Sequence, residues 1–216
     1  MTNTTVEEMA AAFKEMGTPF IVGHPGGESV ELMEAAREQG MRFILMKQEV
    51  AGAMLAATWG EINSVPGICL STRGPGATNM VNGIAHAFLD RAPLIAITDR
   101  YSSPEHEIGI RQRLDHQAII RPVVKWSTSI DAKVVKQQIR RAIRISTAYA
   151  PGPIHFDLPQ SETTKTAGSP RNLADLMPNY YHPAPDPRGI ENAAKTINDS
   201  DRPILLVGLG ALWDNA

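Results

Sequence analysis

The residues best placed to do chemistry lie in two glycine-rich runs and at one glutamate between them. The first run is Gly23-His24-Pro25-Gly26-Gly27, the second is Thr72-Arg73-Gly74-Pro75-Gly76-Ala77-Thr78-Asn79, and Glu49 stands before the apolar segment Val50-Ala51-Gly52-Ala53-Met54-Leu55-Ala56-Ala57. Each follows a short apolar run and opens a stretch with helical spacing, where backbone N–H groups are free and the helix dipole favours negative charge. The second run admits two readings, a tight strand-to-helix turn or an anion cradle. It is not a P-loop, because the Lys-Ser/Thr ending is missing, and it does not meet the G-x-G-x-x-G spacing of the dinucleotide fingerprint. A segment apolar all round, like the one after Glu49, is a helix buried on both sides. One sheet covers one side only, so the expectation is a partner chain over the other. Glu49 would then lie at or near a buried interface, where desolvation raises a carboxyl pKa and suits it to proton transfer. The plainer alternative is a glutamate favourable in a helix's first turn. The six histidines show no metal-ligand spacing, and no metal site is expected in the chain. His24 and His116 each follow a strand in a candidate site loop and are substrate-site candidates, while the other histidines read as satisfied or solvated. Neither a G-x-S-x-G elbow nor a catalytic cysteine arrangement is present, so a hydrolase has nothing to stand on.

The elements that must position these residues alternate regularly. Helices are expected near Val6–Met16, Glu28–Gln39, Val50–Trp59, Ala77–Leu89 and Val135–Ser146, the first with a capping box at Thr5-Val6-Glu7-Glu8. Strands are expected at Pro19–Gly23, Phe43–Met46, Gly67–Ser71, Leu94–Thr98 and Ile154–Leu158, most of them continuous apolar runs. Such runs, each followed by a helix, imply a mostly parallel sheet covered on both faces, an α/β three-layer sandwich whose ligands gather at the carboxyl ends of the strands. Residues 1–160 make this first domain. A Pro-, Ser- and Asn-rich linker follows over 161–189, and 190–216 reads as the truncated start of a second α/β domain, with a helix at Glu191–Lys195 and a strand at Pro203–Gly210.

Composition excludes several classes. The 216 residues are 43% apolar and 20% charged, within the range of globular proteins. Net charge is −2 with Lys and Arg scattered, so nucleic acid is not an expected partner. The longest nearly uncharged apolar stretch, Val50–Gly60, falls far short of the roughly 20 residues that span a bilayer. The start of the chain lacks the features of a signal peptide, and the only cysteine, Cys69, sits in an apolar strand. A cytoplasmic protein that binds no membrane is the expectation.

Taken in order, Gly23-His24-Pro25-Gly26-Gly27, Glu49, Thr72–Asn79, Leu89-Asp90-Arg91-Ala92-Pro93, Arg121–Trp126 and Gly152-Pro153-Ile154-His155-Phe156-Asp157-Leu158-Pro159 resemble the N-terminal pyrimidine-binding domain of thiamine-diphosphate enzymes of the acetolactate synthase type. The resemblance covers about residues 5–160. It implies that Glu49 hydrogen-bonds the cofactor's pyrimidine nitrogen and so promotes loss of the thiazolium proton, with a 2-oxo acid decarboxylated or joined to a second carbonyl compound. It further implies that Pro25, Gly26, Thr72, Gly74 and Asn79 line the pyrimidine pocket or its rim, and that Gln112, with His116 four residues on, lies near the substrate. Only the pyrimidine half of thiamine diphosphate would be held here. The diphosphate and Mg2+ belong, in the family, to a C-terminal domain, which displaces the anion reading of the second loop. The implied assembly is a homodimer or larger oligomer, with the diphosphate domain supplied elsewhere, as a separate subunit if the enzyme is split. Isolated, the chain would be inactive. Substrate identity and any need for FAD stay open, because Gln48 stands where many acetolactate synthases have His, Arg73 where they have Ser, and Asp99-Arg100 where a Gln is usual. Two other readings compete: a non-catalytic cofactor-binding or interaction module, and a Rossmann-like nucleotide-binding protein.

Overall fold

Six parallel strands form one sheet in the order β2-β1-β3-β4-β6-β5. The computed structural model describes residues 3–168 and 184–213. In chain order the elements are α1 (Thr5–Glu15), β1 (Phe20–His24), α2 (Val30–Glu38), β2 (Arg42–Leu45), α3 (Glu49–Asn63), β3 (Gly67–Ser71), α4 (Pro75–Leu89), β4 (Leu94–Arg100), α5 (Ser103–Ile108), α6 (His116–Ile120), β5 (Trp126–Ser129), α7 (Val135–Thr147), β6 (Pro153–Pro159) and α8 (Gln160–Thr163). The central strands β3, β4 and β6 are buried along almost their whole length, as their uninterrupted apolar sequences require. The edge strands β2 and β5 are half-buried or exposed.

Period-two alternation sorts the strand side chains onto two cores. On one face Ile21, Ile68, Leu70, Ile95, Ile97, Ile154 and Phe156 pack against Met9 and Phe13 of α1, Leu32 of α2 and Ile139 of α7. On the other, Val22, Cys69 and Ala96 meet Ala53 and Ala56 of α3, Met80 and Ile84 of α4 and Ile120 of α6. The three layers match the sequence expectation. Phe13 and Phe156 are fully buried, and truncating either to Ala would cost about 3–5 kcal/mol. Cys69 is a buried thiol with Met80 Sδ 3.4 Å away, and burial pushes its pKa up.

Local details depart from the sequence expectations for identifiable reasons. The cap of α1 is Thr4 with Glu7 rather than Thr5 with Glu8, because the Thr5 backbone N–H and hydroxyl both donate to Lys165 O. The polar stretch after β4 holds two short helices, α5 and α6. Helix α3 is less in need of a partner than its composition suggests: Ala53, Ala56 and Ala57 are covered by the sheet and α4, while Met54 and Leu55 are half-buried and Ile62 is exposed.

The chain divides into two compact units, Met1–Met177 and Pro178–Ala216. Packing of the first runs past residue 160, since Thr4 bridges Thr166 and Ala167 is buried in the core. Most of the expected linker, residues 169–183 with His182, lies outside the described residues. The second unit contains α9 (Pro187–Asn198) and α10 (Gly210–Trp213). The expected strand at Pro203–Gly210 does not form there, and Ile204, Leu205 and Leu206 are exposed. A strand needs a neighbour to take its backbone hydrogen bonds, and the described part of that unit offers none. Among the described residues no helix is long and apolar enough to cross a membrane.

Candidate functional site

The sheet order reverses direction at β1, which lies between β2 and β3. In open parallel sheets the crevice at such a switch point is where ligands bind. Here it is flanked by the end of β1 and the loop after it, Gly23 to Gly27, and by the loop after β3, Thr72 to Gly74. Glu49 is the first residue of α3 and half-buried. Its Oε2 accepts a hydrogen bond from Asn79 Nδ2 of α4. Its Oε1 faces Gly76, where an added β-carbon would come within 3.2 Å of that oxygen and 2.8 Å of Thr72 Cγ2. Glycine at 76 thus leaves room beside one carboxylate oxygen while Asn79 holds the other. Thr72 N donates to His24 O at 3.2 Å and ties the two loops together. His24 itself is exposed, with Nδ1 2.9 Å from Met46 O. Pro25 and Gly26 are half-buried in the same loop.

Gly74 takes φ +66°, a left-handed conformation that suits glycine, and its N–H donates to His116 Nε2 at 2.9 Å. That bond fixes the tautomer of the ring. An accepting Nε2 carries no proton, so Nδ1–H is the donor, and it meets Asp157 Oδ1 at 2.9 Å. Thr98 Oγ1 also donates to Asp157 Oδ1, at 2.8 Å, and Gln117 Nε2 donates to Oδ2 at 3.1 Å. With its proton spent on Asp157, the Thr98 oxygen accepts from His155 Nε2 at 2.9 Å, and His155 Nδ1 accepts from the Ser127 hydroxyl at 2.8 Å. Two directed chains of hydrogen bonds therefore converge on Asp157, one from the edge strand β5 through His155 of β6 and Thr98 of β4, the other from the turn that starts α4 through His116. Desolvation alone would raise the Asp157 pKa, but the His116 hydrogen bond, electrostatic attraction to the His155 and His116 rings and the Thr98 hydroxyl outweigh it and hold the carboxyl at about 2. Burial pushes His155 down to about 4 against the pull of Asp157, so the ring is neutral.

A second buried carboxylate lies beneath the Gly26 loop. Both oxygens of Asp99 accept from Ser29 Oγ, at 2.8 and 2.7 Å. Burial raises its pKa to about 7, with Glu28 adding to the rise and Ser29, Arg73 and the Gly26 backbone opposing it. Arg73 pairs with Glu28 and lies 3.8 Å over the Tyr101 ring.

The structure thus brings Glu49, Thr72, Gly76 and Asn79 into one group, and joins Gly74, Gln112 and His116 in a second on the same turn. Gln112 packs against Gly74, where an added β-carbon would be 2.8 Å from the Gln112 Cβ. His116 is buried with both nitrogens engaged, so it braces the loop. Asp157, His155, Thr98 and Ser29 carry the polar scaffold and were not singled out from sequence; the available signal was a carboxylate inside the apolar run Ile154-His155-Phe156-Asp157-Leu158.

Residues 3–119 match the family described as thiamine pyrophosphate enzyme, N-terminal TPP binding domain. The chain belongs to that family. The thiamine pyrophosphate enzyme domain is 32% identical over 215 residues to a probable acetolactate synthase large subunit of Methanocaldococcus jannaschii, covering 97% of this chain and 36% of that protein. It is 31% identical over 211 residues to the chloroplastic acetolactate synthase of Arabidopsis thaliana, covering 94% of this chain and 31% of that protein. The chain thus spans about a third of the length of these relatives. A solved thiamine diphosphate-dependent 4-hydroxybenzoylformate decarboxylase of Rhodococcus jostii RHA1 shares the fold, with a TM-score of 0.84 at 19% identity over 99% of this chain and 41% of that one. The pyrimidine half of thiamine diphosphate fits the site, because a ring nitrogen can meet the open Glu49 Oε1 above Gly76. Among the described residues no group of three or more His, Cys, Asp or Glu could hold a metal ion.

Proposed function

We propose that the chain is the pyrimidine-binding part of a thiamine-diphosphate-dependent 2-oxo acid decarboxylase or carboligase and is silent on its own. The observation that carries this is the Glu49 carboxylate at the switch-point crevice, one oxygen held by Asn79 and the other facing Gly76. Bound thiamine diphosphate supplies the electron sink for the carbon from which carbon dioxide departs. Glu49 holds the proton shared with the pyrimidine nitrogen at Oε1. Asn79 fixes the carboxylate's orientation, and Thr72, Gly74, Pro25 and Gly26 form the rim. His24 and Gln112 stand toward the substrate. Mg2+ and the diphosphate are held by a domain or subunit outside this chain, in a cytoplasmic assembly that is a dimer or larger. The half-buried side of α3, with Met54 and Leu55, and the exposed Ile62 are the surface for a second copy.

The test is reconstitution with the diphosphate-binding half, thiamine diphosphate and Mg2+. Glu49→Gln should keep the fold and lower turnover by about two orders of magnitude or more, the range for a general acid–base group. Unchanged exchange of the cofactor's C2 proton in that variant would remove Glu49 from the mechanism. Calorimetry on the chain alone should give binding of thiamine diphosphate and Mg2+ at about millimolar or weaker. Micromolar binding there would show that the site is not half a site.

A further inference from the structure

A shallow, open surface cleft adjoins the Gly74 turn, lined by Arg73, Arg100, Tyr101, Gln112, Arg113 and His116. Its three arginines come from three separate segments: the loop after β3, the end of β4, and the connection between α5 and α6. Their counter-charges leave donors to spare. Arg73 pairs with Glu28 and stacks on Tyr101, and its buried Nε has no hydrogen-bond partner. The carboxylate near Arg100 is Asp157, 3.9 Å away, which already accepts from His116, Thr98 and Gln117. Arg113 donates to Glu107 O at 3.0 Å and lies 3.8 Å from the largely exposed Glu107 carboxylate. Each guanidinium offers five N–H donors in a fork that matches a carboxylate.

We infer that this cleft holds a second carboxylate of the substrate, so that the chain serves a dicarboxylic 2-oxo acid. The inference rests on the proposed decarboxylation. Cations around the carboxylate that departs would stabilise the ground state more than the transition state, in which its charge is leaving with carbon dioxide. Arginines are therefore better used on an anionic group that stays. The position agrees: Gln112 and His116 contact Gly74 on the cleft side of the α4 turn, and two residues on, Gly76 faces Glu49. Substrate carbonyl and distal carboxylate would straddle that one turn.

The experiment is cofactor-free calorimetry of the 216-residue chain with 2-oxoglutarate, pyruvate and inorganic phosphate as probes. Saturable binding of 2-oxoglutarate at least tenfold tighter than pyruvate or phosphate is expected. Arg100→Gln and Arg113→Gln should each weaken it fivefold or more, with unchanged circular dichroism. Arg111→Gln, which removes the same charge from the same loop outside the cleft lining, should leave it within twofold. Equal affinity for pyruvate and 2-oxoglutarate, phosphate binding as tight as either, no saturable binding, or insensitivity to both arginine variants overturns the inference. Because no cofactor is present, failure here with Glu49-dependent turnover intact in the reconstituted enzyme sinks only the cleft. Dicarboxylate binding without that turnover sinks the reaction and leaves an anion site.

Discussion

Asp99 and Asp157 are buried to the same extent, 0% and 2% exposed, on adjacent strands, yet their carboxyl groups respond in opposite directions. Asp99 rises to about 7 and Asp157 falls to about 2. Burial acts alike on both, so the partners decide. Asp157 lies on the sheet face that carries α6 and takes donors from His116, Thr98 and Gln117. Asp99, on the other face, has one side-chain hydroxyl, that of Ser29, shared between its two oxygens. A buried carboxylate with several directed side-chain donors stabilises its charged form, while one with a single shared hydroxyl beside the Gly26 backbone keeps its proton. The two loops that flank the crevice thus rest on different supports. The α4 turn hangs on a charged network, and the Gly26 loop rests on a carboxyl that titrates near neutrality.

The strongest way to break this contrast is Asp157→Asn. The amide oxygen can still accept from His116 and Thr98, which both meet Oδ1, but its NH2 group would replace Oδ2 before the Gln117 amide and the Arg100 guanidinium, so the buried charge is lost and donors face donors, a loss of about 3–5 kcal/mol in chemical denaturation at pH 7. A loss under about 1 kcal/mol would show that the network does not hold the α4 turn. Asp157 also makes an acid limb. Its depressed pKa gives stability that is complete above the unfolded value of 3.8 and is lost as pH falls through about 2.

Asp99→Asn should act in the opposite sense. The native chain keeps a proton that the unfolded chain has released, so Asp99 subtracts stability as pH rises from about 4 to about 7, by about 1.4 kcal/mol per pH unit. At pH 8 the neutral amide removes that penalty, and the variant should gain about 4 kcal/mol, with little change at pH 4. Equal effects at both pH values would show that Asp99 does not titrate in the fold.

Between these limits the two sites oppose each other. His155 is held neutral down to about 4, whereas the unfolded ring takes its proton near 6.5, so this site adds stability as pH rises from about 4 to 6.5. Asp99 subtracts stability over nearly the same window. The parent chain should therefore show almost level stability from about pH 4.5 to 6.5, and Asp99→Asn should uncover a climb of about 2 kcal/mol across it. A sloping parent curve would mean that one of the two groups is not buried as described.

Part of this was legible in the sequence. The central strands read correctly because β3, β4 and β6 are buried on both faces and so are apolar without interruption. Strand β5, Trp126-Ser127-Thr128-Ser129, did not, because an edge strand with half-buried side chains carries no such run. The place of Glu49 was legible from its local setting, the polar start of an apolar helix. Its partner Asn79 lies 30 positions away and came only from the family resemblance. The polar scaffold was hidden for the same reason. Asp157 meets His116 41 positions and Thr98 59 positions away, and the three cleft arginines converge from separate loops. Spacing along a chain encodes contacts within one element, while contacts between loops depend on strand order.

The smallest expected effect lies at the far end of the charged network. Ser127 sits on the half-buried edge strand, and its hydroxyl donates to His155 Nδ1. Ser127→Ala removes one neutral hydrogen bond and leaves Nδ1 without a donor, at a cost of about 1 kcal/mol. The other nitrogen keeps its proton, because Nε2–H still donates to Thr98, whose own proton is committed to Asp157. The freed Nδ1 is then the one place where the ring can gain a proton, so the His155 pKa should move up from about 4 toward its ordinary value. Ser127→Thr, which retains a hydroxyl, should restore the low value. NMR titration of the His155 ring distinguishes a directed chain from side chains that merely lie close. An unchanged titration in Ser127→Ala would mean that the order of donors stops at Thr98, and that the α4 turn is supported by Asp157 and His116 without the edge strand.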